Sequence, residues 1–311
     1  MDTRQALDGR AVGIMLILCL IWGLQQVVLK AAAPDISPLM QIALRSGISA
    51  ALVGALMFWR GERLSLADGN LRPGLLVGCL FAVEFLLVGE GLRFTSASHM
   101  VVFLYTAPIF VALGLHRKLP AERLSMLQWL GIAVSFTGIV VTFFGRSQQT
   151  TVGEPMDILW GDFLALMAGV AWGATTVVVR TSSLARAPAT QTLLYQLVVG
   201  FVLLLLAAIV LGQTSINPTP IALGSLLFQS LVVSFASYLV WFWLLRHYLA
   251  SRLGVFSFMT PLFGVAFGVW LLNEPLEPSF LLGSVLVLLG VVLVSGYGWF
   301  KQIISNAKRR S

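Results

Sequence analysis

The second half of this sequence repeats the first, displaced by about 153 residues. Leu92-Arg93-Phe94-Thr95-Ser96-Ala97-Ser98 aligns with Leu245-Arg246-His247-Tyr248-Leu249-Ala250-Ser251, with leucine, arginine, alanine and serine in common. Without a gap, Phe103, Pro108 and Phe110 then meet Phe256, Pro261 and Phe263. One residue of slip in the next loop brings Glu122, Gly131 and Gly138 onto Glu274, Gly283 and Gly290. Upstream, Trp22-Gly23 matches Trp172-Gly173. A tandem copy restricts the chain to folds built from two versions of one unit. When the unit is apolar, the pattern is that of membrane proteins with internal repeats.

The unit is apolar. Hydrophobic residues make up 58% of the 311 residues and charged residues 11%, against about 25% charged in a soluble domain. A net charge of +7 would suggest a nucleic-acid partner in a soluble chain. Here the charges fall between apolar runs and read as basic cytoplasmic loops. The two cysteines, Cys19 and Cys79, lie inside such runs, so a disulfide framework is not expected. The first run, Ala11 to Leu29, exceeds the roughly 7–15 residues of a signal-peptide core. It also holds Gln25 and Gln26 and shares its Trp-Gly pair with the second half. It is read as a retained helix.

A membrane-crossing helix needs about 20 mainly apolar residues. The sequence predicts an all-α polytopic membrane protein with ten such helices. They fall near 11–32, 37–59, 73–93, 97–116 and 124–145, then 158–180, 188–211, 221–245, 250–272 and 278–299. The first repeat is then 11–145 and the second 158–299, joined by a loop at 146–157 and followed by a basic tail at 300–311. Five helices is an odd number, so the second repeat enters the membrane from the opposite side and is inverted. Sixteen Lys and Arg then fall on the side of the N-terminus. Only Lys30, Arg93 and Arg146 fall on the other, and Arg45 lies within a helix. The positive-inside rule puts both termini in the cytoplasm, as expected for a bacterial-type inner membrane protein.

Charges inside a membrane cost at least about 2.5–3.5 kcal/mol near a helix centre and need a reason. Glu84 lies midway along the third helix. It reads either as a proton-titrating or amine-binding carboxylate, or as a structural partner of Arg45. Arg45 could equally meet backbone carbonyls or hold an anionic group. Glu90 is placed at the interface near Arg93. His99, at the start of the fourth helix, is a second candidate for proton coupling, or an amphipathic residue at the interface.

Trp22 and Trp172 fall well inside helices, where each indole N–H needs a partner. Gln25 and Gln26 follow the first within about a turn; Thr175 and Thr176 follow the second. Tyr105, Ser237 and Tyr238 add hydrogen-bonding groups. The candidate substrate-binding set is Trp22, Gln25, Glu84, Tyr105, Trp172, Thr176, Ser237 and Tyr238. For any one of them an interhelical hydrogen bond is the alternative. Pro108 and Pro261, inside helices four and nine, break backbone hydrogen bonds. Paired interruptions in two repeats point to a binding site, so both are candidates for gating. Gly131 and Gly138, matched by Gly283 and Gly290, share helix faces two turns long and mark helices five and ten as close-packed scaffold. Leu204 is the expected lipid-facing control.

Enzyme chemistry finds no support. The Gly-x-x-x-x-Gly-Lys-Ser/Thr motif of ATP hydrolysis is missing, the histidines at 99, 116 and 247 have no metal-ligand spacing, and no nucleophile elbow occurs. No cofactor and no metal are expected.

Ile21-Trp22-Gly23, Leu92-Arg93-Phe94-Thr95-Ser96-Ala97, the proline of helix four, and Asn273-Glu274-Pro275 followed by Gly283 and Gly290 together resemble the EamA-type drug/metabolite transporters. The resemblance covers about residues 11 to 299. It implies a secondary transporter with a central cavity between its halves. Helices one, three, four, six, eight and nine would line that cavity, and five and ten would be peripheral. It implies export of small organic metabolites, amino acids foremost, by alternating access, with the bilayer and a small molecule as partners. A multidrug or nucleotide-sugar-type exchanger of the same fold, or a channel-like facilitator, is the alternative.

Overall fold

The computed structural model describes residues 9–62, 69–118, 123–144, 155–247, 257 and 259–308. These residues form helices and turns, with one isolated antiparallel bridge between Ile36 and Ile216. In chain order the helices are α1 (Gly9–Ala31), α2 (Pro38–Trp59), α3 (Leu71–Phe94), α4 (Ala97–Leu104), α5 (Ala107–Lys118), α6 (Met126–Phe144) and α7 (Pro155–Thr181). After a 3₁₀ turn at Ser183–Ala185 come α8 (Ala189–Val210), α9 (Pro220–Leu227), a π-helical segment Phe228–Ser237, α10 (Tyr238–His247), α11 (Met259–Leu272) and α12 (Pro278–Lys308).

Seven stretches among the described residues are long and apolar enough to cross a bilayer: Gly9–Ala31, Pro38–Trp59, Leu71–Phe94, Ala97–Lys118, Met156–Thr181, Ala189–Val210 and Pro220–Trp241. Met126–Thr142, Met259–Leu272 and Pro278–Val294 are shorter apolar helices. The chain is a polytopic, all-helical membrane protein.

The predicted fourth helix is broken in two. Pro108 has no N–H to give the carbonyl of Leu104, and its ring crowds that carbonyl. α4 accordingly stops at Leu104, and the Thr106 hydroxyl turns back to the Phe103 carbonyl at 2.6 Å. Pro261 lies near the start of α11 as described, two residues after Met259. Residues 248–256 and 258, the start of the expected ninth helix, lie outside the described residues, as does most of the 146–157 loop. At the other end, α12 runs on through Lys308 into the segment read as a tail. The predicted eighth helix spans α9, the π-helical segment and α10, and no sequence signal had marked its wide turns.

Two glycine contacts set how the halves meet. A Cβ on Gly23 of α1 would stand 2.9 Å from the Gly264 nitrogen and 3.0 Å from the Thr260 carbonyl of α11. A Cβ on Gly173 of α7 would stand 2.7 Å from Phe110 Cβ and 3.2 Å from the Ala107 carbonyl of α5. Each Trp-Gly pair thus lays its helix against the proline-bearing stretch of the opposite half. The repeated Trp-Gly is explained by this packing: the glycine admits the neighbouring backbone, and the tryptophan projects beside it.

α6 and α12 form a second close pair. A Cβ at Gly131 would lie 2.7 Å from the Gly290 carbonyl, and one at Gly138 2.5 Å from the Gly283 carbonyl. Ser135 Oγ donates to the Val287 carbonyl at 3.1 Å between them. Leu204, chosen as a lipid-facing control, is 1% exposed and packs in the core. Its neighbour Leu206 is 53% exposed and takes that role. The run of leucines 203–206 gives no period from which to tell the two apart.

A single methyl tests the α6–α12 contact. Gly138→Ala is expected to destabilise the purified protein by about 1–3 kcal/mol, the usual cost of overpacking, seen as a lowered melting temperature. Gly54→Ala, where a Cβ meets nothing within 4 Å, is expected not to lower it.

Candidate functional site

Most of the sequence-selected residues converge on one place. Trp22 of α1 donates from Nε1 to Ser237 Oγ at 2.9 Å and meets Trp241 edge to face at 5.6 Å. The Ser237 hydroxyl passes on to the Val233 carbonyl at 2.6 Å. Tyr105, at the break between α4 and α5, meets Trp172 of α7 edge to face at 5.2 Å. Such aromatic pairs bury large area with little rotamer freedom to lose. Glu84, Tyr105 and Tyr238 lie within electrostatic reach of one another, and Arg45 within reach of Glu84 and Tyr238. Gln229 of the π-helical segment ties Arg45 to α1: Arg45 Nη1 donates to Gln229 Oε1 at 2.6 Å, and Gln229 Nε2 donates to the Gln25 carbonyl at 2.8 Å. π-helical turns recur at functional sites, and this one presents Gln229, Ser230, Ser234 and Ser237 as buried polar residues.

The group is contributed by α1, α2, α3, the α4–α5 break, α7, the π-helical segment and α10. Glu84 is buried at 6% exposure and, among the described residues, makes no hydrogen bond or ion pair. The suggested Glu84–Arg45 ion pair is not formed: Arg45 gives its hydrogen bond to Gln229 and stacks its guanidinium over the Phe85 ring at 4.5 Å. Thr176 spends its hydroxyl on its own helix, donating to the Trp172 carbonyl at 3.1 Å, as Thr175 does to Ala171.

His99 belongs elsewhere. It is 5% exposed, stacked on Phe280 at 3.9 Å, with Nδ1 3.0 Å from both carboxylate oxygens of Asp162. Asp162 also accepts from Thr95 Oγ1 at 2.5 Å. The interfacial reading of His99 is replaced by a buried one, with its ring held against the Asp162 carboxyl. Around the same α3–α4 turn, Lys30 Nζ donates to the Leu92 carbonyl and, at 2.8 Å, to the Thr95 carbonyl. Glu274 caps the start of α4, accepting from the Ala97 and Ser98 amides at 2.7 and 3.0 Å and from Ser98 Oγ at 2.6 Å. A carboxylate there meets the positive end of the helix dipole. Asn273, with φ 53°, makes the left-handed turn that ends α11 and brings Glu274 round. Arg93 and Glu90 pair at 2.7 Å nearby, as their spacing suggests. This end of the bundle is therefore closed by hydrogen bonds that join α1, α3, α4, α7 and the α11–α12 turn.

Asp162, Lys30 and Gln229 were not selected from the sequence. Asp162 could have been: it stands between Gly161 and Phe163 in an apolar run, the signal that singled out Glu84. Lys30 and Gln229 carry no local signal, since their partners lie 62 and 184 residues away.

The His99–Asp162 contact makes a testable unit. His99→Ala leaves a buried carboxyl short of a partner, so a loss of about 1–3 kcal/mol is expected, read as a fall in melting temperature. Adding Asp162→Ala is expected to recover part of that loss, because the two residues share one interaction.

The EamA-like transporter family matches residues 9–144 and again 159–296. A Bacillus subtilis strain 168 protein named as the uncharacterized transporter YoaV is 26% identical over 88% of this chain and 92% of its own. An Escherichia coli strain K12 protein described as a probable amino-acid metabolite efflux pump is 26% identical over 93% of this chain and 96% of its own. The uncharacterized inner membrane transporter YedA of the same strain is 24% identical over 91% and 90%. One solved crystal structure shares the fold with a TM-score of 0.63, at 18% identity over 92% of this chain and 96% of the other.

Proposed function

Because the chain belongs to the EamA-like transporter family, we propose that it is a secondary transporter that exports small polar or amphipathic organic metabolites, amino acids foremost. The observation that carries this reading is the set of buried Glu84 and Tyr105 with half-buried Trp22, Trp172 and Tyr238, drawn from both halves of the chain and gathered around a broken helix and a π-helical turn. Rings offer flat contact area to a side chain. Glu84 offers a carboxylate to an ammonium or a proton.

Two inverted five-helix repeats rock about this site. Both termini are cytoplasmic, and the loop at 146–157 faces outward. The two stretches matched by the family, the sixteen-to-three split of basic residues and the α1–α11 and α7–α5 contacts all support that arrangement. On this topology the α3–α4 turn, Lys30, Asp162 and Glu274 lie at the outer face. Their hydrogen bonds close that face in this conformation, and they must part for release.

Uptake of a labelled amino-acid panel into proteoliposomes, with and without a pH gradient, tests the function; rates equal to those of empty vesicles would defeat it. Trp172→Ala is expected to lower transport about tenfold or more, equivalent to about 1.4 kcal/mol of lost contact, at unchanged membrane abundance. Leu206→Ala is expected to leave it unaltered. Topology is tested separately, in a background lacking Cys19 and Cys79. A cysteine at Ser147 is expected to react with an impermeant thiol reagent outside intact cells, and one at Ser305 is not. The reverse pattern would invert the orientation.

A further inference from the structure

Lys30 closes the α3–α4 face from a defined place in the fold. It is the last residue but one of α1, eight positions after Trp22. It donates to the carbonyls of Leu92 and Thr95. Leu92 is the last residue but two of α3, and Thr95 is the C-cap of that helix. The last carbonyls of a helix have no intrahelical donor and carry the negative end of its dipole. A half-buried ammonium there pins the end of α3 to the end of α1 through charge-assisted bonds.

The same parts recur in the second half. Arg180 is the last residue but one of α7, eight positions after Trp172. Leu245 is the last residue but two of α10. The repeat aligns Lys30 with Arg180 through the Trp-Gly pair, and Leu92 with Leu245 through the Leu-Arg pair. The crossings correspond as well, since Gly23 lies against α11 and Gly173 against α5. Each basic residue stands about 10 Å of helical rise beyond its glycine. A basic residue in a last helical turn is ordinary on its own. Here the donor, the acceptor and the crossing that aims them are all duplicated. The two donors differ in surroundings: Lys30 is half-buried on its carbonyls, and Arg180 is exposed.

We infer that Arg180 is the counterpart of Lys30 at the opposite face. When the Lys30 contacts break and the α3–α4 face opens, the Arg180 guanidinium takes the Leu245 carbonyl at the end of α10 and shuts the other face. The two basic residues then stabilise opposite conformations and together set the balance between them. This rests on the alternating-access reading and goes beyond it, because it names the group that holds each state.

The test uses the full chain in liposomes, in a background lacking Cys19 and Cys79. Spin labels are placed on cysteines at Ala31 and Arg93, both exposed, at the ends of α1 and α3. Their distance distribution, read by double electron–electron resonance, reports whether the Lys30 face is shut or open. Lys30→Met is expected to raise the ratio of long to short distances about tenfold, the factor associated with one charge-assisted hydrogen bond. Arg180→Met is expected to lower that ratio by a similar factor, although it lies on α7. The fall is read in the Lys30→Met background too, where the long-distance population is large enough to lose. Glu274→Gln, which weakens the cap of α4, supplies that background if Lys30→Met does not fold. Arg180→Lys, which keeps a cationic donor, is expected to stay near the wild-type ratio. A ratio that Arg180→Met leaves unchanged in both backgrounds, or raises, would overturn the inference. So would an equal fall in Arg180→Lys. Vesicle uptake separates this from the parent reading. Distances that shift as stated in a protein that moves no amino acid support the two latches and defeat the amino-acid exporter. Transport at the wild-type rate by Arg180→Met, with no shift in distances, leaves the exporter and removes the latch.

Discussion

The close approach of Gly23 to α11 and of Gly173 to α5 is the contact on which the rest of the architecture depends. At both places a missing Cβ lets a helix of one half lie against the backbone of the other beside a proline. Without that approach the tryptophans would not reach inward, and Trp22 could not meet Ser237 or Trp172 meet Tyr105. In lipid no hydrophobic drive holds helices together, so small residues and short polar contacts must do it. The α6–α12 glycine pairs apply the same rule at the periphery. The protein therefore has one rigid seam away from the site and two tight crossings next to it.

Polar satisfaction is unevenly distributed, and the unevenness has a direction. At the α3–α4 turn nearly every strong group is paired: Lys30 with carbonyls, Asp162 with Thr95 and His99, Glu274 with the α4 amides. In the middle of the bundle Arg45 and Glu84 are buried, and Arg45 Nε and Nη2 have no hydrogen-bond partner among the described residues. On the proposed reading the paired end is a face that opens by exchanging hydrogen bonds for water.

What the sequence revealed follows from how local each signal was. Glycine faces on helices five and ten, the break before Pro108 and the Glu90–Arg93 pair depend on residues a few positions apart, and the structure has all three. The grouping of Trp22, Tyr105, Trp172, Ser237 and Tyr238 was reachable because the repeat placed polar residues at matching depths twice. Gln229 and Lys30 were out of reach, because their meaning lies in partners far along the chain. The π-helical turns follow from tertiary packing, which no periodicity encodes. Leu204 failed for a related reason: in a helix apolar all round, the buried face cannot be told from the lipid face without its neighbours. Glu84 was found because a charge in an apolar run is conspicuous, and Asp162 would have been found had the same rule been carried to the helix end.

The central claim is that a site between the two halves is offered to one side of the membrane at a time. Counterflow measures this most directly. Proteoliposomes containing the wild-type chain are loaded with an unlabelled mixture of amino acids and diluted into a trace of the same mixture carrying ¹⁴C. Alternating access predicts a transient accumulation of label above its equilibrium level, because loaded carriers return faster than empty ones. Label that rises only to equilibrium, at a rate indifferent to what is inside, would mean a continuous pore and would contradict the account.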